Sequence, residues 1–422
     1  MCFSIPSGLR LALLSLLLCQ PMSMSLLAQT EDGPRAAPLS YRFTRQPGET
    51  KTRFELNANK PYVPVLVNKN GPYWFILDTG SWSNAVDSET ARNLRITVSN
   101  PFEAQGGGER TVTGAKGANV SLQIAGVELA QKEIDVEPLN AALSAAEGRA
   151  VDGLLGYDFF SRLVVQIDYA KREVHIIEPA SFHYSGSGEI MPIEIIRGNI
   201  FISTHIAMPN GERVPGSFMV DTGWRSALSL TAPFAAAHNL STTLSNTVDA
   251  ITGMGIGGPT LDTVARMPSL ELGRYTIKDF VVNFSHAKAG VLSQTDFSGI
   301  IGAEILPRFK VIFDYPHRRM ILEPNAAFST PYEFDMSGLF ITAEGGQPKV
   351  FTVYGVVKNS PAMQADIRVA DVIEAIDDHP ASNFTLEQIR QLFKQSAGQE
   401  HSLTIKRNNK ILAVKFRLHR IV

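Results

Sequence analysis

From Phe54 onward, apolar and polar residues alternate over short runs, and turn-forming residues separate the runs. Residues 61–67, for example, read Pro-Tyr-Val-Pro-Val-Leu-Val and are followed by Asn-Lys-Asn-Gly, as in a strand that enters a hairpin turn. The 33 glycines of the chain suit a protein with many turns. The pattern therefore predicts a mainly β fold.

Two apolar runs end in the same triplet, Asp-Thr-Gly, at residues 78–80 and 221–223. Each triplet is followed by a short helical stretch, a glycine-rich segment, and a later pair of apolar residues with glycine, in that order. The offset between matching positions is nearly constant, at 143 residues for Asp78 and Asp221 and 146 residues for Gly153 and Gly299. A regular offset of this kind indicates an internal repeat. The repeat predicts two tandem β lobes, over residues 53–180 and 189–325, that form a pseudo-dimer within one chain.

A third unit, over residues 336–422, is predicted to mix helices with strands. Ser360 followed by Pro361 marks the start of one helix, because serine is a favourable N-cap and proline fits the first helical position. Thr385 and Gln388 have the spacing of a capping box at the start of another.

The N-terminal residues have the pattern of a secretory signal peptide. Arg10 precedes an apolar run at residues 11–18, which Gln20-Pro21 interrupts. The run is too short to span a bilayer, so we predict a signal peptide over residues 1–28 and no membrane span in the mature chain. Residues 29–52 are polar and contain prolines, and we predict that they form a flexible leader.

Both cysteines of the chain, Cys2 and Cys19, fall within this predicted signal peptide. Leu18 is an unfavourable residue before a lipidated cysteine, so we expect no lipoprotein anchor at Cys19. The mature chain would then have no disulfide and no cysteine nucleophile or ligand. The expected localisation is secreted or periplasmic.

Composition and motifs exclude several classes of function. The net charge of -2 provides no basic field for nucleic acid. Residues 253–258 have the spacing of a dinucleotide fingerprint, but Pro259-Thr260 follows instead of a helix. The chain has neither a two-histidine zinc motif on a helix nor the Gly-x-Ser-x-Gly motif of serine hydrolases.

Asp78 and Asp221 are the candidate catalytic residues. Two carboxyl groups that lie a few ångströms apart do not both ionise easily, so such a pair holds one acid and one base. The ionised aspartate can take a proton from a water molecule, and the protonated one can donate to the carbonyl oxygen of a scissile bond. This chemistry needs no metal and no cofactor, and we predict neither.

The residues beside the two aspartates are suited to this role. Gly80 and Gly223 allow the turns to close tightly against the carboxylates. The hydroxyls of Thr79 and Thr222 are expected to hydrogen-bond across the junction of the two halves and to hold both loops in place.

The residue after each triplet differs between the halves. Ser81 is expected to hydrogen-bond to Asp78 and to favour its charged form, whereas Trp224 offers no oxygen to Asp221. We therefore predict that Asp78 is the more acidic of the two aspartates.

Each half resembles a retropepsin-type aspartic protease unit. The shared features are the strand that leads into Asp-Thr-Gly, the glycine-rich region, and the apolar-apolar-Gly motifs at residues 154–156 and 300–302. The resemblance covers roughly residues 54–325 and is to the pepsin-like arrangement of two lobes in one chain. It implies endopeptidase cleavage of an extended polypeptide substrate, with residues 106–117 and 253–260 as flaps over the site and the apolar-apolar-Gly motifs bracing the catalytic loops.

Residues 336–422 resemble a PDZ domain. The triplet Gly338-Leu339-Phe340 is similar to the PDZ loop that binds a terminal carboxylate, and residues 359–362 are similar to the start of the first PDZ helix. The resemblance implies that the C-terminus of a peptide or protein partner adds as a strand beside this loop and faces the helix that begins at Thr385.

Two alternatives remain open. Trp224 stands where the protease family usually has a small residue, which leaves room for a non-catalytic peptide-binding protein on a degenerate protease scaffold. The lobes could also pair between two chains in a homodimer.

Overall fold

The computed structural model describes residues 40–44, 48–345 and 349–422. The predicted signal peptide, with Cys2 and Cys19, and the predicted leader up to residue 39 lie outside the described residues. Strands make up most of the regular structure, which confirms the predicted mainly β fold.

Up to residue 177, the described chain forms twelve strands and three short α-helices. The strands are β1 (Ser40–Phe43), β2 (Glu49–Arg53), β3 (Glu55–Asn57), β4 (Lys60–Val67), β5 (Asn70–Leu77), β6 (Ala85–Asp87), β7 (Val98–Ala104), β8 (Val112–Ile124), β9 (Val127–Glu137), β10 (Gly153–Leu155), β11 (Val164–Asp168) and β12 (Glu173–Ile177). The helices are α1 (Ser88–Asn93), α2 (Leu139–Glu147) and α3 (Tyr157–Phe160).

From residue 179 to residue 324, the chain forms eleven strands, two short α-helices and four 3-10 turns. The strands are β13 (Glu189–Pro192), β14 (Glu194–Ile196), β15 (Asn199–Ala207), β16 (Arg213–Val220), β17 (Leu228–Leu230), β18 (Val248–Gly255), β19 (Gly258–Leu272), β20 (Tyr275–Ser285), β21 (Gly299–Ile301), β22 (Phe309–Asp314) and β23 (Arg319–Pro324). The helices are α4 (Ala232–Ala237) and α5 (Leu240–Thr243), and the 3-10 turns are Pro179–Ser181, Val291–Ser293, Leu306–Arg308 and Tyr315–His317.

The third unit combines six strands with two α-helices and one 3-10 turn within its described residues. The elements are β24 (Leu339–Glu344), β25 (Val350–Val356), α6 (Pro361–Gln364), β26 (Val372–Ile376), β27 (His379–Pro380), a 3-10 turn (Ala381–Asn383), α7 (Leu386–Leu392), β28 (Glu400–Arg407) and β29 (Lys410–Arg417). Ser360 caps α6, and Thr385 and Gln388 form a capping box on α7, as the sequence predicts. No helix of the described chain has the length and apolar character needed to cross a membrane.

Two large sheets have the same strand order. In the first sheet, β5-β10-β6-β9-β8-β7 are neighbours in that order, and β4 pairs with both β5 and β8. In the second sheet, β16-β21-β17-β20-β19-β18 are neighbours in that order, and β15 pairs with both β16 and β19. The repeat seen in the sequence is therefore also a repeat of strand order. We call residues 53–180 the first half and residues 189–325 the second half.

A third sheet joins the two halves. Its order is β13-β23-β22-β11-β12-β2, so the first half and the strand before it contribute three strands and the second half contributes three. The central pair is β11 with β22, in which Val165 lies opposite Phe313. Phe160 of the first half packs edge-on against Phe313, with 5.6 Å between ring centroids. Buried apolar residues of both halves form one continuous core, which holds the two large sheets in a defined relation.

Two strands lie in the segment predicted to be a flexible leader. β1 pairs with β9, and β2 pairs with β12 at the edge of the third sheet. β1 places Tyr41 and Phe43 against the core but is only four residues long, and β2, Glu-Thr-Lys-Thr-Arg, is entirely polar. Neither run is long and apolar enough for the sequence pattern to mark it as a strand. Backbone hydrogen bonds to existing strands order them, and an open sheet edge can supply such bonds to almost any sequence.

Candidate active site

The two Asp-Thr-Gly loops begin at the ends of β5 and β16, and they meet between the halves. A short strand runs parallel behind each loop, β10 behind the first and β21 behind the second. The backbone N–H of Asp78 donates to the carbonyl oxygen of Leu155 over 2.9 Å, and that of Asp221 donates to Ile301 over 2.9 Å. The later apolar-apolar-Gly motifs thus brace the loops in the way that the resemblance implies.

The two threonines lock the loops together. The hydroxyl of Thr79 donates to the carbonyl oxygen of Val220 over 2.8 Å, and the hydroxyl of Thr222 donates to that of Leu77 over 2.6 Å. Each hydroxyl also accepts the backbone N–H of the other threonine, at 3.0 and 3.1 Å. Both side chains are buried, so the network is shielded from water. The expected hydrogen bonding across the junction is confirmed.

Each glycine of the triplets lies against the aspartate of the other loop. A Cβ atom placed on Gly80 would lie 2.2 Å from Oδ2 of Asp221, and one placed on Gly223 would lie 2.5 Å from Cγ of Asp78. No side chain fits at either position. Each backbone N–H also donates to the aspartate of its own loop, over 3.0 Å from Gly80 and 2.7 Å from Gly223. The glycines therefore permit the two carboxyl groups to come together.

The two aspartates share a hydrogen bond and have unequal acidity. Burial raises the pKa of Asp78 above the ordinary value for aspartate, and the positive charge of Lys60 limits that rise. Burial and then the negative charge of Asp78 raise the pKa of Asp221 well above the ordinary value. Both carboxyl groups thus favour the protonated form, and Asp221 favours it more strongly than Asp78 does.

The order of acidity agrees with the sequence prediction, but the predicted cause is wrong in one respect. The hydroxyl of Ser81 donates to the carbonyl oxygen of Ser83 over 2.8 Å and not to the carboxylate of Asp78. It is the backbone N–H of Ser81, together with that of Gly80, that favours the charged form of Asp78. Asp221 is stabilised in its charged form by one backbone N–H, that of Gly223, so Asp78 has one such donor more.

A buried ion pair next to the aspartates was missed by the sequence analysis. Nζ of Lys60 lies 2.8 Å from Oε1 of Glu147, and both side chains are more than nine-tenths buried. The hydroxyl of Tyr62 donates to Oε2 of Glu147 over 2.9 Å. Burial works to raise the pKa of Glu147, but Lys60 outweighs it and the pKa is lowered. The only signal in the sequence is a lysine at the head of the apolar strand β4, whose counterpart in β15 is Asn199.

The aspartates open into a cavity of about 440 Å³ between the halves. Its wall on the second half includes an apolar cluster of Phe201, Met219, Phe297 and Ile300, which pack with Trp224. The indole N–H of Trp224 donates to the hydroxyl of Ser229 over 2.9 Å, so the large residue after the second triplet has a defined position in the wall. Trp224 therefore lines the cavity without displacing Asp221.

The wall on the first half combines apolar and ionisable residues. Ile76, Leu143 and Leu154 line the cavity together with Glu137, which is 5% exposed. Burial, followed by the charges of Asp135 and Asp78, raises the pKa of Glu137 to about 7. A buried carboxyl group with a raised pKa therefore lies in the wall of the cavity on this side.

The two glycine-rich segments lie at the turns between β7 and β8 and between β18 and β19, and they meet over the cavity. The backbone N–H of Gly108 donates to Ile256 over 2.9 Å, and that of Arg110 donates to Gly257 over 3.2 Å. Gly107 lies against the ring of Trp224 so closely that a Cβ there would be 3.0 Å from the ring. In this structure the two predicted flaps therefore cover the cavity.

The predicted carboxylate-binding loop of the third unit is occupied by a carboxylate of the chain itself. Gly338 has a φ of +78°, and its backbone N–H donates to Oδ1 of Asp335 over 2.7 Å. Oδ1 of Asp335 also accepts the backbone N–H of Ser337 over 2.9 Å and, at 3.4 Å, that of Leu339. Phe340 lies edge-on to Tyr354, with 5.9 Å between ring centroids.

The groove beside this loop is also covered. Helix α2 of the first half packs against β24, the edge strand of the sheet in the third unit. Gly148, directly after α2, meets Leu386 of α7, where a Cβ on the glycine would lie 2.7 Å from Cβ of Leu386. Arg390 of α7 donates a hydrogen bond to the carbonyl oxygen of Ala146. The structure thus differs from the expected strand addition, because the chain's own helix occupies the position between β24 and α7.

Comparison with known proteins supports both parts of this description. A family model described as an aspartyl protease matches residues 63–159, which include the first Asp-Thr-Gly loop, and one described as a PDZ domain matches residues 352–407. No curated protein matches the chain. Within the described residues, no group of three or more histidine, cysteine, aspartate or glutamate side chains is arranged to hold a metal ion. The chain therefore combines an aspartyl protease domain with a C-terminal PDZ domain.

Proposed function

We propose that this protein is an aspartic endopeptidase, in which the two halves are retropepsin-like lobes that share one active site. The observation that carries the proposal is the pairing of Asp78 with Asp221, with the glycine of each loop against the carboxyl group of the other. The threonine network supports it, since such a network holds the two carboxyl groups at a defined separation. Catalysis by two carboxyl groups depends on that separation.

The unequal acidity of the pair suits a division of roles. Asp78, as the carboxylate, would take a proton from a water molecule held between the two aspartates. The water oxygen attacks the carbonyl carbon of the peptide, and Asp221 donates its proton to the carbonyl oxygen. As the resulting tetrahedral diol collapses, Asp78 gives its proton to the nitrogen, Asp221 takes a proton back from a diol hydroxyl, and the C–N bond breaks to give a carboxylic acid and an amine. Closed glycine-rich flaps would exclude bulk water during these steps.

Two further parts of the proposal concern partners and location. The PDZ domain would bind a peptide or the C-terminus of a protein, either a substrate or a regulatory partner. The N-terminal signal would direct the chain to a secreted or periplasmic location, where it would meet extended polypeptides.

The test is cleavage of a mixed peptide pool by the mature chain from acid to neutral pH, followed by mass spectrometry. Asp78→Asn and Asp221→Asn are each expected to lower the rate by at least about 10³-fold, since both the acid and the base are needed. Wild-type activity is expected to rise with pH as Asp78 ionises and to fall as Asp221 loses its proton. Because burial raises both pKa values, both limbs should lie above the ordinary aspartate pKa.

A chain that cleaves no peptide at any pH would favour the alternative of a non-catalytic peptide-binding protein. A chain in which only one of the two asparagine variants is inactive would contradict the shared dyad. Sedimentation of the mature chain at the assay concentration distinguishes pairing of lobes within one chain from pairing between two chains.

A further inference from the structure

A second cavity, of about 360 Å³, lies between the second half and the PDZ domain. On the PDZ side it is lined by Leu339, Phe340 and Tyr354, and on the other side by Ile251 of β18. Arg225, Ser226 and Thr252 line both this cavity and the one that contains the two aspartates. The two cavities are therefore neighbours, and Arg225 stands at the boundary.

Two arginines face this boundary from opposite sides. Arg225 follows Trp224 in the loop of Asp221 and makes no ion pair with any described residue. Arg390 comes from α7 of the PDZ domain, and its side chain is 10% exposed. Nη1 of Arg390 is buried and donates no hydrogen bond, and the nearest carboxylate oxygen, on Glu387, is 4.0 Å away. Burying a guanidinium N–H that has no hydrogen-bond acceptor costs free energy, so this position favours a ligand that supplies an acceptor oxygen.

The carboxylates around the two arginines are already bonded to other groups. Burial and then the charge of Arg225 lower the pKa of the Arg390 guanidinium to about 9, because two like charges are held close together. Glu147 interacts with both arginines but is bonded to Lys60. The other carboxylates that line the cavity each have a partner of their own: Glu304 pairs with Lys394, Asp249 accepts from Thr263, and Asp335 accepts from the loop N–H groups.

We propose that Arg225 and Arg390 together bind a carboxylate of a peptide in this cavity. A guanidinium presents paired donors that match the two oxygens of a carboxylate, and two such groups around one anion would remove their mutual repulsion. The inference rests on the proposed function in one respect, which is that the peptide then extends past Arg225 into the cavity of the aspartates. The carboxylate would then bind to this arginine pair and not to the N–H groups of the loop at Gly338, which already donate to Asp335.

The chemical class of ligand follows from the walls. The apolar side chains of Leu339, Phe340 and Ile251 suit apolar residues of the peptide next to the carboxylate. The carboxylate itself belongs either to a free C-terminus or to an aspartate or glutamate side chain, since both present the same pair of oxygens. A C-terminal carboxylate in this position would lead to cleavage close to the end of the substrate.

Binding can be tested without catalysis. Immobilised mature Asp78→Asn chain is equilibrated with a pool of mixed-sequence decapeptides that have free C-termini, and with the same pool amidated. A third pool is amidated and contains one internal aspartate or glutamate. Mass spectrometry then quantifies the retained peptides. Peptides with a carboxylate are expected to be retained at least about tenfold better than amidated peptides without one, and Arg225→Gln and Arg390→Gln, each combined with Asp78→Asn, should each remove that preference.

The matched control is Lys394→Gln in the same background, because Lys394 lines the same cavity but is paired with Glu304, and it should leave the preference intact. Arg225 lies in a loop and Arg390 lies in α7, so the Arg225 variant tests the site even if Arg390→Gln unfolds, and thermal melting identifies such a loss. Equal retention of amidated and free peptides, or a preference that survives Arg225→Gln, would overturn the proposal. Retention of the third pool through the same arginines would support the site and assign it to side chains. Because retention needs no cleavage, failure of the endopeptidase proposal would be seen separately in the pool assay.

Discussion

In the first half, the residue after Asp-Thr-Gly is Ser81, whose hydroxyl donates to a nearby carbonyl, and in the second half it is Trp224, whose indole lies in the cavity wall. The strands that carry the two loops correspond one to one, and the backbone bonds that brace the aspartates have the same length of 2.9 Å. The backbone frame is thus repeated, and the side chains around it are not.

The difference shows which features a shared site needs in duplicate. Threonine and glycine occur in both loops, because the interlocking hydrogen bonds and the close approach of the carboxyl groups require them on both sides. The wall residues take no part in these interlocking hydrogen bonds, so they are free to differ. Lys60, with Glu147, lies beside one wall, while Asn199 and a set of aromatic residues lie beside the other.

The largest expected effect contrasts Lys60 with its counterpart Asn199. Lys60→Met leaves Glu147 buried without its partner and should lower the free energy of unfolding by about 3–5 kcal/mol. Oδ1 of Asn199 has no hydrogen-bond partner, so Asn199→Leu should change it little. Urea denaturation of both variants measures the contrast. Adding Glu147→Leu to Lys60→Met should restore most of the lost unfolding free energy. Equal losses for Lys60→Met and Asn199→Leu would contradict the difference between the two halves.

The next effect tests the mutual contact of the loops. Gly80→Ala and Gly223→Ala each place a methyl group where a carboxyl group of the other loop lies, so kcat/KM should fall by about 100-fold or more. Gly211→Ala is the control, because a Cβ there meets no atom within 4 Å, although its φ of +84° adds some strain. Full activity of Gly80→Ala or Gly223→Ala would mean that this glycine does not lie tightly against the carboxyl group of the other loop.

A smaller effect is expected in the threonine network. Thr79→Val leaves the carbonyl of Val220 and the backbone N–H of Thr222 without a partner, and Thr222→Val does the same on the other side. Each should cost about 1–3 kcal/mol of unfolding free energy, and the double variant should cost less than the sum because both disrupt one network. Thr113→Val removes only an exposed hydrogen bond and serves as the reference. Clearly unequal losses of unfolding free energy for Thr79→Val and Thr222→Val would show that the two loops are not equivalent.

The smallest effect concerns pH. Because burial raises the pKa of Glu137 to about 7, the folded chain holds this proton more tightly than the unfolded chain does. The stability from this group is full below its ordinary pKa and is lost as pH rises toward 7. Between the ordinary pKa of glutamate and pH 7, the unfolding free energy of the wild type should therefore fall more than that of Glu137→Gln. The difference should be on the order of 1–2 kcal/mol, after allowance for screening. The matching position of the second half is Phe284, which does not titrate. Ser144→Ala is the control and should leave the pH slope unchanged, because the Ser144 hydroxyl donates to the backbone carbonyl of Asn140.

The sequence led correctly to the fold class and to several local features. The capping box at Thr385, the hairpin after residue 67 and the hydrogen bonds between Thr79 and Thr222 follow from local pattern and from the repeat, and the structure has all of them. The ion pair of Lys60 and Glu147 could not be predicted, because its members lie 87 residues apart in the sequence. The repeat gave no second example of it, since the counterpart of Lys60 in the second half is Asn199.

The sequence by itself determined the mainly β fold, the internal repeat and the two aspartate loops, since alternating polarity, glycine positions and a constant offset are all local or periodic signals. Only the tertiary structure decided which groups set the acidity of the two aspartates and what faces the PDZ groove. These properties depend on burial and on charges contributed by distant segments, such as Lys60 beside the dyad and α2 against β24. Electrostatic free energies depend on distances in space, which the order of residues along the chain does not contain.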